Sequence, residues 1–177
     1  MHYHQFVEHA QKQIMKTLLL LRHAKSDWGD ASLPDFDRPL APRGKRDAPR
    51  MGKALRKRGV APELIISSPA ARARATIEDF MKAARLDVEV KFMESIYGAP
   101  SSELMKVIRS LPDESSRALM VGHNPGFEDL LNRLTGGRER MPTAALACIE
   151  FQIDHWADIE DGKGKLMWLL TPKQLDR

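Results

Sequence analysis

The chain has 177 residues, of which 42% are hydrophobic and 29% charged, and it carries a net charge of +4 with a pI near 9.3. These proportions are those of one folded domain with room for a proper core, and they exclude a chain disordered throughout. No apolar run approaches the ~20 residues of a membrane span, and Leu18–Leu21 is too short for a signal-peptide core. The mild basic excess suits acidic or phosphorylated ligands. Lys and Arg are nevertheless scattered. The densest stretch, RMGKALRKR at 50–58, has helical spacing and reads as a solvated helix face, not a nucleic-acid stripe. The single cysteine, Cys148, excludes an intramolecular disulfide, and its neighbours (ALACIEF) make it a small core residue. A cytoplasmic location is expected.

Residues 1–14 (MHYHQFVEHAQKQI) differ in character from the rest of the chain and are read as a vector-derived or non-core extension; residues 15–177 are read as one domain. The extension holds His2, His4 and His9, whose HxH spacing is weak support for a metal site. Thr17–Leu21 is a continuous apolar run, as in a strand buried on both faces. Arg43–Arg58 has helical composition, with Gly59 placed as its C-cap. Leu64–Ile66 forms the next buried strand, and the alanine-rich Ala70–Ala84 the next helix. Val88–Phe92 alternates as a strand. Ser101–Leu111 opens on Ser-Ser-Glu as an N-cap and stops at Pro112. Ala118–Val121 is a third apolar run, Gly126–Leu134 a helix, and Ala144–Phe151 and Lys165–Leu170 are closing strands. Strands separated by helices predict an α/β fold, a three-layer α/β/α sandwich with a mostly parallel central sheet.

Ligands of such sheets bind at the carboxyl ends of the strands. After the first run come Arg22 and His23. After the second comes SSPAAR, ending at Arg72. After the third come Gly122, His123 and Asn124. Arginine presents a planar fork of donors matched to phosphate oxygens. An imidazole can attack phosphorus and carry the phosphoryl group. Two of each, without a carboxylate cluster for magnesium, suggest phosphoryl transfer without a metal, the arginines neutralising charge instead. Each residue alone has a plainer reading: His23 as a loop histidine, Arg72 as a surface arginine beside Arg74, His123 as part of an Asn-Pro-Gly turn.

The motifs also carry a resemblance. LLLLRHAKS resembles the signature strand and loop of the histidine phosphatase (phosphoglycerate mutase-like) superfamily, whose usual pattern is L-x-R-H-G; Ala24 stands in place of the glycine. SSPAARARAT is similar to its second block, S-S-P-x-x-R-A-x-x-T, and VGHNPG to its third. The continuation Ala24-Lys25-Ser26 and the segment DFDRPLAPRGKRDA are most similar to the SixA type, the small phosphohistidine phosphatase branch. The resemblance implies a phosphoglycerate mutase-like fold and a phosphatase with a phosphohistidine intermediate and no cofactor. It implies His23 as nucleophile, Arg22 and Arg72 as phosphate clamps, His123 as a further donor, and a hydroxyl from Ser26. A phosphomonoester needs an acid for its leaving group, usually a carboxylic acid. Glu94 (FMESIYG) lies where many members of the superfamily place one, and Asp27 is its rival. A phosphohistidine substrate needs such an acid less.

Only fifty positions separate Arg72 from His123, too few for a large lid. An open cleft suits a phosphorylated side chain of another protein, though a small phosphoester can also enter. Neither nucleic acid nor membrane is expected as a partner, and oligomeric state stays open. The alternatives are a phosphomonoesterase for a small metabolite or phosphoserine, and a non-catalytic phosphate-binding module. Arg38 is read as tying its loop through Asp35 or Asp37 in preference to touching phosphate. Trp28 and Trp156 are each either core anchors or substrate contacts.

Overall fold

The computed structural model describes residues 15–176. The extension at 1–14 and its three histidines lie outside the described residues. Strand β1 (Lys16–Arg22) is central. Its four leucines, all 0% exposed, alternate between two cores: Leu18 and Leu20 face one, Leu19 and Leu21 the other. Period-two alternation makes this unavoidable once helices cover both faces. Each leucine buried in this way contributes about 1.5–3 kcal/mol relative to exposure.

The sheet has six strands in the order β3-β2-β4-β1-β5-β6. Strands β2 (Leu64–Ser67), β3 (Val90–Phe92) and β4 (Arg117–Gly122) run parallel to β1. Strands β5 (Leu146–Phe151) and β6 (Lys165–Leu170) extend the sheet antiparallel. Helices α1 (Pro42–Arg58) and α2 (Ala71–Ala84) supply Met51, Leu55, Ile77 and Phe80 to the core of Leu19 and Leu21. Helices α3 (Ser101–Arg109) and α4 (Gly126–Thr135) supply Leu104, Ile108, Leu130 and Leu134 to the other. The three-layer arrangement and the largely parallel sheet agree with the sequence pattern.

Several boundaries shift by a residue or two, β3 starting at Val90 and α3 ending at Arg109, and two differences have a plain cause. Pro100, not a serine, occupies the N-cap of α3, with extended backbone (φ −71°, ψ 163°) and no side-chain cap bond. Proline presets that entry, so the helix begins at Ser101 itself. Strand β5 starts at Leu146, because Ala144 adopts a left-handed backbone (φ 61°) that no strand accommodates. Gly59 caps α1 in the left-handed conformation (φ 69°), as its position predicts. Cys148 is buried, and loss of hydration pushes its thiol up to about 12, as befits a core residue.

The loop after β1 is pinned to the start of α1. The amide of Asp27 donates to Pro39 O (2.8 Å), that of Ala41 to Lys25 O (2.9 Å), and Ser26 bridges Leu40. Helix α1 reaches this loop through Gly44, where a Cβ would lie 2.3 Å from Lys25 O. Only glycine permits that approach.

Candidate active site

Strands β2, β4 and β1 are successive neighbours, so their carboxyl ends open side by side at the ~4.8 Å strand spacing. Arg22 pairs with Gly122 across β1 and β4, which places His23 and His123 one step further on adjacent strands. Their ring centroids are 5.0 Å apart. Arg72 enters from the first turn of α2, just beyond β2. The result is an open cleft of about 640 Å³. Arg22, His23, Ser26, Arg72 and His123 all line it.

His23 Nδ1–H donates to the carbonyl of Ala24 (2.7 Å). That acceptor fixes the tautomer and leaves Nε2 with its lone pair. Arg72 Nε donates to this Nε2 at 3.3 Å. The backbone around His23 is held on three sides. His23 N donates to Gly122 O (3.0 Å), Ala144 N donates to His23 O (3.0 Å), and Ala24 N donates to the Thr76 hydroxyl (2.9 Å). Thr76 Oγ1 in turn donates to Arg72 O (2.6 Å), so one buried hydroxyl ties the His23 loop to the turn that carries Arg72. Thr76 closes the S-S-P-x-x-R-A-x-x-T block.

His123 Nε2 lies 2.6 Å from Ser68 Oγ, while its Nδ1 is buried with no protein partner. Ser68 Oγ also accepts from the Ala70 amide (3.3 Å), so the hydroxyl is held between the start of α2 and the His123 ring. Arg22 Nη1 donates to Met141 O (2.8 Å), and its Nε is buried and unpartnered.

Burial pushes both imidazoles down, His23 to about 3 and His123 to about 4, and nearby arginines push in the same direction. Both are therefore neutral at pH 7, His123 included. The unfolded chain binds protons near the ordinary histidine value of 6.5, so between there and the folded values it holds more protons than the native state. Stability must then rise with pH across that window, and fall as the solution is acidified. Replacing His23 and His123 together by glutamine is expected to flatten the fall in the urea midpoint between about pH 6.5 and 4 relative to the parent chain. An unchanged slope would remove these two groups as its source.

A carboxylate that the sequence did not single out for the site also lines the cleft. Asp35, in the short turn Asp35–Asp37, accepts from Arg72 Nη2 (Oδ2, 3.0 Å) and from the Tyr97 hydroxyl (Oδ2, 2.7 Å), and its carbonyl accepts from Arg72 Nη1 (2.6 Å). Desolvation opposes its charge, but the bonds from Tyr97 and Arg72 outweigh it and hold the carboxyl below the usual carboxylate range. Tyr97 packs edge-on to His123, with centroids 5.4 Å apart. Its position in FMESIYG, just after β3, was the available signal.

Glu94 opens the turn Glu94–Ile96 and is exposed; it does not line the cleft. Asp27 is exposed too, its Oδ1 taken by Gly29 N (2.8 Å). Arg38 is buried, with Nη1 on Asp30 O (3.2 Å), and serves its loop; the tie is to that carbonyl, not to Asp35 or Asp37. Trp156 is a core anchor, 0% exposed, its Nε1 bonded to Ser115 O (2.8 Å), whereas Trp28 lines the cleft. Among the described residues no helix is long and apolar enough to cross a membrane.

Comparison with known proteins agrees with this geometry. The model of the histidine phosphatase superfamily (branch 1) matches residues 18–141. An uncharacterised chloroplastic protein of Arabidopsis thaliana is 32% identical over 175 residues, which is 93% of this chain and 80% of that protein. A crystal structure from Agrobacterium tumefaciens, named as a candidate phosphohistidine phosphatase SixA, is 28% identical with a TM-score of 0.77, covering 89% of this chain and 98% of that one. The protein histidine phosphatase SixA complexed with tungstate has the same fold at 22% identity and a TM-score of 0.77, over 90% and 99% of the two chains. A match of this extent, with the cleft formed by the same motifs, means that the chain belongs to the histidine phosphatase superfamily, in its SixA-type branch, and is a phosphatase.

Proposed function

We propose that the protein removes phosphate from phosphohistidine in another protein, through a phosphohistidine intermediate on His23 and without a metal ion. The observation that carries this reading is the tautomer of His23: its Nδ1–H is given to Ala24 O, leaving the Nε2 lone pair in the cleft beside Arg72. Nε2 attacks phosphorus, a P–N bond forms, and the bond to the substrate nitrogen breaks. The departing imidazole keeps the electron pair and takes a proton. Water then attacks phosphorus, the His23–phosphorus bond breaks, and inorganic phosphate leaves. Arg22, Arg72 and His123 bind the phosphoryl oxygens and stabilise their charge as the transferring group flattens. Ser26 adds its hydroxyl to the same cleft.

Among the described residues no protonated carboxylic acid lines the cleft, and this favours a nitrogen leaving group. Glu94 and Asp27 serve ester hydrolysis only if their loops swing inward. Asp35 does face the cleft, but Arg72 and Tyr97 keep it ionised. An alkoxide needs a proton donor that imidazole does not. The openness of the cleft supports a protein-borne substrate.

The test is a panel of a phosphohistidine peptide, a phosphoserine peptide and sugar phosphates. The phosphohistidine peptide is expected to have the highest kcat/KM. A sugar phosphate or phosphoserine turning over faster would replace this reading with that of a phosphomonoesterase. The absence of ³²P on the protein after quenching with labelled substrate would count for the non-catalytic module.

The Asp35 contact makes a separate prediction. An arriving phosphate must take Arg72 from this carboxylate, so the two anions compete for one guanidinium. Arg72 is buried but Asp35 is half-exposed, and surface pairs are worth about 0.2–1 kcal/mol. Asp35→Asn is therefore expected to lower the inhibition constant of inorganic phosphate by about 1.4–5-fold. A constant that stays the same or rises would show that Asp35 does not contest the site.

A further inference from the structure

At 60% exposure, Trp28 is the most exposed large hydrophobic side chain among the described residues. Exposed indoles normally move freely, but this one is braced. Its Nε1 donates to Ser26 Oγ (3.0 Å), and Ser26 is itself fixed by its bridge to Leu40. The Arg38 guanidinium lies 4.1 Å from the ring centroid, and Arg38 is only 8% exposed. With Arg38 behind it, the indole leaves its other face to solvent, at the mouth of the cleft that contains His23. Holding a large apolar face rigid and wet does nothing for the fold: the ring is part of neither core.

We propose that Trp28 is a stacking platform for the leaving group, selecting substrates whose phosphate is borne on a planar aromatic ring. The imidazole of phosphohistidine is such a ring, and in this the inference rests on the function proposed above. The bracing accounts for the preference. A flat ring stacks on a fixed flat surface without the entropy of ordering it. The guanidinium on the rear face draws π density away from the front, which suits a neutral, electron-rich ring better than a second cation. The platform also supplies what the shallow phosphate site lacks, a contact with the part of the substrate that departs.

Two matched pairs of substrates test this. Phosphohistidine and phospholysine peptides share P–N chemistry and differ in the ring. Phenyl and propyl phosphate do the same for esters. In Trp28→Ala the ratio of kcat/KM for the aromatic over the aliphatic member of each pair is expected to fall roughly 3–10-fold, and in Trp28→Phe to stay near the parent value. Equal losses on both members, or no loss, would overturn the platform. A parent enzyme inactive on all four substrates would instead overturn the proposed reaction. Binding then still decides the platform: Trp28→Ala must weaken phenylphosphonate relative to propylphosphonate in calorimetry, and an unchanged ratio rejects it.

Discussion

Alanine at position 23 is expected to abolish hydrolysis of a generic aryl phosphate, with a loss on the order of 10⁴-fold or more in kcat, as for removal of other covalent nucleophiles. The loss should be this large because nothing nearby can substitute. The second imidazole, His123, has its Nε2 engaged with Ser68 and its Nδ1 buried. Ser26 is a neutral hydroxyl with no base against it, its only side-chain bond being from Trp28. Cys148 is buried within the core and far from ionising. The alanine variant should therefore bind phosphate but not turn over. EDTA should leave the parent enzyme unaffected, since the proposed mechanism gives charge neutralisation to Arg22 and Arg72. Appreciable activity in His23→Ala would sink the nucleophile assignment, and loss of parent activity in EDTA would sink the metal-free one.

Lysine in place of Arg72 is expected to cost about 10²–10³-fold in kcat/KM, close to the cost of alanine. Charge alone cannot replace this side chain. Its Nε reaches His23 Nε2 (3.3 Å) while Nη1 and Nη2 reach the oxygens of Asp35, so one planar fork touches both the proposed nucleophile and a carboxylate of the cleft. An ammonium on a flexible stem satisfies one of these at a time. The effect should appear in kcat as well as KM, because the phosphoryl oxygens gain charge in the transition state. Rescue by lysine to within a few-fold of the parent would mean that Arg72 acts as a point charge only. Urea unfolding of the same variant separates a folding defect, since Arg72 also fastens the Asp35 turn.

His23 and Arg72 were both legible in the chain because strand ends are local features. An apolar run of strand length announces where the carboxyl edge of the sheet will be, and the residues directly after the run lie at that edge. The same reasoning located Arg22 and His123, and the order of the motifs carried the family. Helix boundaries were legible to within a residue or two where glycine or composition marked them, as at Gly59. At α3 the start at Ser101 agreed while the cap fell on Pro100, and at β5 a left-handed Ala144 cut the strand short of its expected start.

What the sequence by itself determined was the α/β/α architecture and the delivery of two arginines and two histidines to one edge, because periodicity and strand length are set by neighbours along the chain. The tertiary structure alone decided which partner each imidazole meets, which carboxylate meets Arg72, and which tryptophan faces the cleft. Asp35 lies thirty-seven residues from Arg72, and its partnership depends on the path of the loop after β1, which no local rule specifies. Glu94, well placed along the chain, turns to solvent for the same reason. The imidazoles' hydrogen bonds depend on partners such as Ala24 O and Ser68 Oγ, whose directions exist only once the backbone is folded. In LLLLRHAKSDW the leucines told where the site would be. The folded loop told that Trp28, at its far end, stands at the mouth of it.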